Sequence, residues 1–183
     1  MRDWTKESLK LKKGHTWSAP EGYRIFVADR GAVRFNFPQE WTMEPGEDAT
    51  YFYDKKPPDD DCRLGCSYLT LPPIDWSGLH LSELIKTATA GDPRELKMAG
   101  DIVMGNRPDL EIAWADFGFI DPVEHRHAYS RLSIARGSNI QTLITLDYWD
   151  EDGARLAPMW RELMRSLQLG RYISDPTLGD IIH

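Results

Sequence analysis

Three β-prone runs laid end to end between Leu110 and Trp149 constrain this chain more than any other feature. The first, Leu110 to Phe119, puts Leu110, Ile112 and Trp114 on one side of an extended chain and Ala113, Ala115 and Phe117 on the other. Side chains alternate along a strand, so a run apolar on both sides predicts a central strand covered on both faces. The second and third runs, Tyr129 to Ala135 and Ile140 to Trp149, flank Gly137-Ser138-Asn139, which predicts a tight hairpin. So short a connection makes the two runs antiparallel neighbours.

The first half supplies further strands: Tyr23 to Val27, Val33 to Phe37 (closed by Pro38), Tyr51 to Tyr53, and Leu64 to Leu71 (closed by Pro72-Pro73). Over residues 79–90 the period changes. Leu81, Leu84, Ile85 and Ala88 form one helical stripe, stopped by Gly91-Asp92-Pro93, with a further helical turn expected over 93–99. Gly105 to Asp109 has turn composition. Asp150-Glu151-Asp152 opens a second helix with Leu156, Trp160, Leu163, Met164 and Leu167 as its apolar stripe. Pro158 suits a first turn and so delays its expected start, and Gly170 is the expected C-terminal cap. The predicted architecture is α+β, a twisted antiparallel sheet flanked by two main helices. It occupies residues 23–170, between an N-terminal arm over 1–22 and a C-terminal tail over 171–183.

Length and composition fit one core. The 183 residues bury enough surface to fold without staples. A net charge of −7 argues against a broad basic face for nucleic acid. No apolar run approaches a membrane span, and residues 1–20 carry no signal-like apolar segment, so no membrane partner and a cytoplasmic location are expected. Lys6, Lys10, Lys12 and Lys13 read as a solvated face of the arm. Cys62 and Cys66, with three residues between them, fit neither a redox pair nor a zinc knuckle and are expected to be reduced thiols.

The segment Val33-Arg34-Phe35-Asn36-Phe37-Pro38-Gln39-Glu40-Trp41 resembles the opening strand and Pro-x-x-Trp of the PsbP-like family. That family includes the photosystem II subunit PsbP, a Ran-binding nuclear transport factor and many bacterial proteins of unknown role. Tyr51-Phe52-Tyr53, the helix at 79–90, Gly105-Asn106-Arg107-Pro108 before a long strand, and Ser166-Leu167 near the end continue the resemblance over roughly residues 31–170. It implies an antiparallel sheet flanked by helices and a binding or assembly role. It carries no catalytic residue with it.

Two candidate sites emerge from the residues themselves. Glu124-His125-Arg126-His127, read as strand, puts His125 and His127 on one face as a pair of metal ligands, with Asp116 or Asp121 as a third. Trp41 and Trp76 lie in loops and are the expected partner-binding aromatics if they are not packing residues. The acidic run Asp59-Asp60-Asp61 reads as a solvated loop. No nucleophile elbow or phosphate-cradling loop occurs. The leading expectation is therefore a non-enzymatic domain that binds another protein and needs no cofactor. The alternative is a small-molecule or metal-binding protein, a hydrolase included, working through His125 and His127.

Overall fold

Eleven strands and two helices make up the computed structural model, which describes residues 5–182. The strands are β1 (Tyr23–Ala28), β2 (Val33–Pro38), β3 (Thr42–Pro45), β4 (Thr50–Tyr53), β5 (Cys62–Thr70), β6 (Lys97–Met98), β7 (Val103–Arg107), β8 (Leu110–Ile120), β9 (His127–Gly137), β10 (Ile140–Trp149) and β11 (Gln168–Leu169). The helices are α1 (Leu81–Thr89) and α2 (Gly153–Ser166). A three-stranded sheet runs β1-β2-β11, and an eight-stranded sheet runs β3-β4-β5-β10-β9-β8-β6 with β7 also paired to β8. Every pairing is antiparallel. This is the α+β architecture, an antiparallel sheet flanked by two main helices, that the sequence predicts.

The two faces of β8 divide as its alternation requires. Leu110 and Ile112 join the larger core, which the small sheet and α2 close from one side. Ala113, Ala115 and Phe117 join a second core with Leu132 and Ile134, and α1 caps it through Leu81 and Ile85. The helices thus lie on opposite faces. The hairpin is the expected one: Gly137 pairs with Ile140, leaving Ser138 and Asn139 as the turn, with Ser138 at φ 51°.

Tertiary pairing overrides local composition at several points. Gly105 to Arg107 extends β7, and the turn shrinks to Pro108-Asp109 because Arg107 pairs with Leu110. The helical turn expected over 93–99 is replaced by a turn with Glu95 at φ 53°, followed by β6. Pro158 lies in the second turn of α2, since a 3₁₀ turn over Asp150–Asp152 leads straight into Gly153. Gly170 caps no helix. The chain leaves α2 at Ser166, pairs Gln168-Leu169 with β2, and turns at Gly170 (φ 62°). A Cβ there meets the Ser138 side chain at 2.7 Å, so the position needs glycine.

The arm and the tail clasp one another. Lys12 N and Thr16 N donate to Thr177 O and Leu178 O at 3.0 and 2.8 Å. The Trp17 indole donates to Pro176 O at 2.7 Å and lies under the Arg34 guanidinium. Lys12 pairs with Asp175, whose carboxyl is held down at about 2 by that bond and by Thr177.

Candidate functional site

The face of the large sheet that carries α1 is only partly covered, because α1 packs on β8 and β9. Register divides the exposed remainder into two ends. At one end Leu69, Gln141, Arg136 and Glu111 stand side by side across β5, β10, β9 and β8. At the other, Tyr53, Arg63, Asp147 and Ser130 do the same across β4, β5, β10 and β9.

The first end carries the loop that holds Trp76. Residues 71–80 cross the sheet to reach α1 and are held there by Arg136, itself only 9% exposed. Its guanidinium donates to Trp76 O at 3.0 Å, Leu79 O at 3.2 Å and the Gln141 side-chain oxygen at 3.0 Å. Two loop carbonyls are thus tied to one buried charge, Gln141 orients it from β10, and Glu111 stands 4.0 Å away as counter-ion. The Trp76 indole donates to Pro72 O at 3.0 Å, so the ring is braced while remaining partly exposed. Beside it a pocket of about 440 Å³ is lined by Leu79, Leu81, Ile102, Met104 and Glu111, among others. Met104 is 59% exposed, and Leu69, Ile74 and Leu79 are exposed as well. Apolar side chains left in water near a braced loop tryptophan and an open pocket are the kind of surface that partners bury.

The other end is charged. A cleft of about 520 Å³ is floored by the sheet, with Tyr53, Pro57 and Pro58 on one side and Phe119, Asp121 and Arg94 on the other. Asp147 accepts from Ser130 Oγ at 2.6 Å, Arg63 at 2.9 Å and Arg94 at 3.1 Å. These three donors fill the acceptor sites of Asp147, which suits an anchor that holds the sheet end and Arg94 together. Hydrogen bonding to Asp92, reinforced by Asp147, keeps the Arg94 guanidinium firmly protonated.

The structure separates the expected metal ligands. His125 sits in the loop between β8 and β9 at φ 54°, whereas His127 opens β9 opposite Ile120. The left-handed backbone at His125 breaks the alternation that put both rings on one strand face, so that geometry is corrected. Asp121 turns inward on the loop, accepting from the backbone of Val123 and Glu124. Asp116 is held instead by Arg131, at 2.7 and 2.8 Å. Among the described residues no three His, Cys, Asp or Glu side chains converge as a metal would need.

Trp41 is also corrected. It is 3% exposed and packs in the larger core, so its ring presents nothing to a partner. Cys62 and Cys66 are buried free thiols. Burial pushes both thiols up, Cys66 to about 12. A thiol reagent is therefore expected to leave the native protein untouched and to modify both cysteines once denaturant unfolds it. Rapid native labelling would contradict this placement.

From the sequence, Trp76 was visible as a loop aromatic, but Arg136, Glu111, Met104 and Leu69 were not visible as its company. The one local signal was Ile74, an apolar residue between Pro73 and Asp75 in a loop.

The Alr1449 family profile matches residues 24–173. The uncharacterized protein alr1449 of Nostoc sp. (strain PCC 7120) is 48% identical over 177 residues, spanning 96% of this chain and 92% of that protein. Among solved structures, cyanobacterial PsbP (CyanoP) from Synechocystis sp. PCC 6803 superposes with a TM-score of 0.59 at 13% identity. That match covers 84% of this chain and 98% of CyanoP. LpqN of Mycobacterium tuberculosis, involved in cell envelope biogenesis, gives 0.54 at 11% identity, covering 80% and 89%. At these identities the likeness is one of fold.

Proposed function

We propose that this chain, which belongs to the Alr1449 family, is a non-enzymatic protein-binding domain that engages its partner through the apolar surface around Trp76. The observation that carries this reading is a braced, partly exposed Trp76 on the loop that also exposes Ile74 and Leu79, next to an open pocket lined by Leu79 and exposed Met104. Interface energy concentrates in such aromatic anchors, set in pockets and ringed by weaker contacts. Rigidity adds to it, because Arg136 fixes the loop beforehand and little ordering remains to be done on binding. The binding tendency implied by the PsbP-like resemblance points the same way. No helix of the described residues is long and apolar enough to cross a membrane.

The test is quantitative affinity capture from a lysate of the source organism, with wild-type protein beside Trp76→Ala and Met104→Ser. One saturable partner is expected, its recovery falling by about tenfold or more in Trp76→Ala at unchanged melting temperature. Equal recovery by both variants would remove the surface from the account. Tight zinc binding abolished in His125→Ala/His127→Ala would favour the metal-binding alternative instead.

A further inference from the structure

We infer that the partner adds an extended segment of its own, bulky at its centre and basic at its flanks, to the free edge of β7. The inference rests on the Trp76 reading and names what the partner lays beside that surface. β7 pairs with β8 on one side, and among the described residues no strand pairs with its other side. Every second residue of such a strand turns its N–H and C=O outward, which leaves a row of backbone groups for another chain. Val103, Met104 and Gly105 are all exposed along it. The opposite edge of the same sheet is closed. There β3 is four residues long, ends in Pro45, and has Lys6 Nζ donating to Met43 O at 3.0 Å. β7 carries neither lysine nor proline.

Gly105 points to the same occupant independently. Its backbone is not left-handed, and a Cβ there meets nothing closer than Ile112 Cβ at 3.8 Å, so nothing inside the fold requires glycine. Glycine weakens a strand interior and suits a place where another backbone or a bulky cross-strand side chain comes close. Alternation then sets the segment. A residue opposite Gly105 lies on the α2 side, over the space beside Ile112, and its two neighbours turn to the α1 side. There the pocket lined by Leu79, Ile102 and Met104 takes an apolar side chain. Charge fixes the flanks. Asp101 and Glu111 are exposed at the two ends of β7; Asp101 has no ion pair among the described residues, and Glu111 meets Arg136 only at 4.0 Å. A second copy brings the same acidic pair to this edge, whereas a basic segment neutralises it.

The probe is a capped heptapeptide, Thr-Lys-Phe-Leu-Thr-Val-Lys, titrated into the full chain and followed by NMR. Saturable shifts are expected at the Met104 and Gly105 amides and the Leu79 methyls. N-methylating alternate amides of the peptide gives two sets; one is expected to abolish binding and the other to leave it, as a ladder requires. Gly105→Val is expected to keep or raise the melting temperature while weakening the peptide about fivefold. Trp76 does not line the pocket, so Trp76→Ala is expected to leave this titration unchanged. The peptide thus reports on the β7 edge whether or not capture through Trp76 succeeds. The inference is overturned by absent or unsaturable binding, by equal binding of both N-methylated sets, or by unchanged affinity in Gly105→Val. It is overturned equally by a chain that light scattering shows to be dimeric until Gly105→Val is introduced, since a second copy then holds the edge.

Discussion

Replacing Phe52 with alanine is expected to cost about 3–5 kcal/mol of stability, enough to remove a large part of what holds a domain of this size folded. Phe52 is fully buried, and its ring meets three others: Phe37 at 4.9 Å, Phe26 at 5.1 Å edge-on and Phe35 at 5.4 Å. Those three belong to β1 and β2, whereas Phe52 belongs to β4. The ring is thus the contact through which the small sheet docks on the large one. Its loss removes transfer energy and also leaves a cavity walled by stiff rings that cannot collapse into it. Urea unfolding checks this as a fall in midpoint at unchanged slope, with Phe52→Leu losing markedly less. A loss below about 1 kcal/mol for the alanine variant would show that the sheets are held together elsewhere.

Asp54→Ala is expected to cost about 2–4 kcal/mol for a different reason. The Asp54 side chain is 5% exposed and serves three donors. It accepts the backbone N–H groups of Asp61 and Cys62 at 3.0 and 3.2 Å, and the Arg155 guanidinium at 2.9 Å. One carboxylate therefore ties the loop between β4 and β5 to α2. Alanine leaves two backbone donors without an acceptor. Arg155 keeps Asp152 at 2.9 Å, which places the expected loss below that of a fully orphaned buried charge. Asp54→Asn keeps one acceptor oxygen and is expected to fall between the two. A double-mutant cycle with Arg155→Ala isolates the ion pair, and a coupling near zero would place the stabilisation in the backbone bonds alone.

Local pattern was sufficient for the fold wherever periodicity had room to repeat. The two-sided run of β8, the hairpin at Ser138-Asn139 and both helical stripes were legible because each repeats its period over many residues. It failed where a partner strand decides. Gly105-Asn106-Arg107 has turn composition, yet pairing with β8 keeps it extended. Gly170 resembles a helix cap, yet its left-handed backbone serves a turn packed against the hairpin. β3 is short and ends in Pro45, so no alternation announced it.

The sites were less legible than the fold because their members come from distant strands. Trp76 could be named, but Arg136 and Met104 reach its neighbourhood only through register. Asp59-Asp60-Asp61 read as a solvated run, and only the meeting of strand ends beside it makes a cleft wall of Asp60. His125 and His127 illustrate the converse error, since a single left-handed residue cancels the spacing on which their pairing depended.

The central claim is that the Trp76 surface is where a partner sits, and site-specific photo-crosslinking tests it most directly. A photoreactive residue is placed at Met104, beside the pocket, and separately at Arg161, exposed on α2. The account predicts a discrete crosslinked species from position 104 that disappears in a Trp76→Ala background, and none from position 161. Crosslinking of the same partner from position 161, with none from position 104, would contradict it.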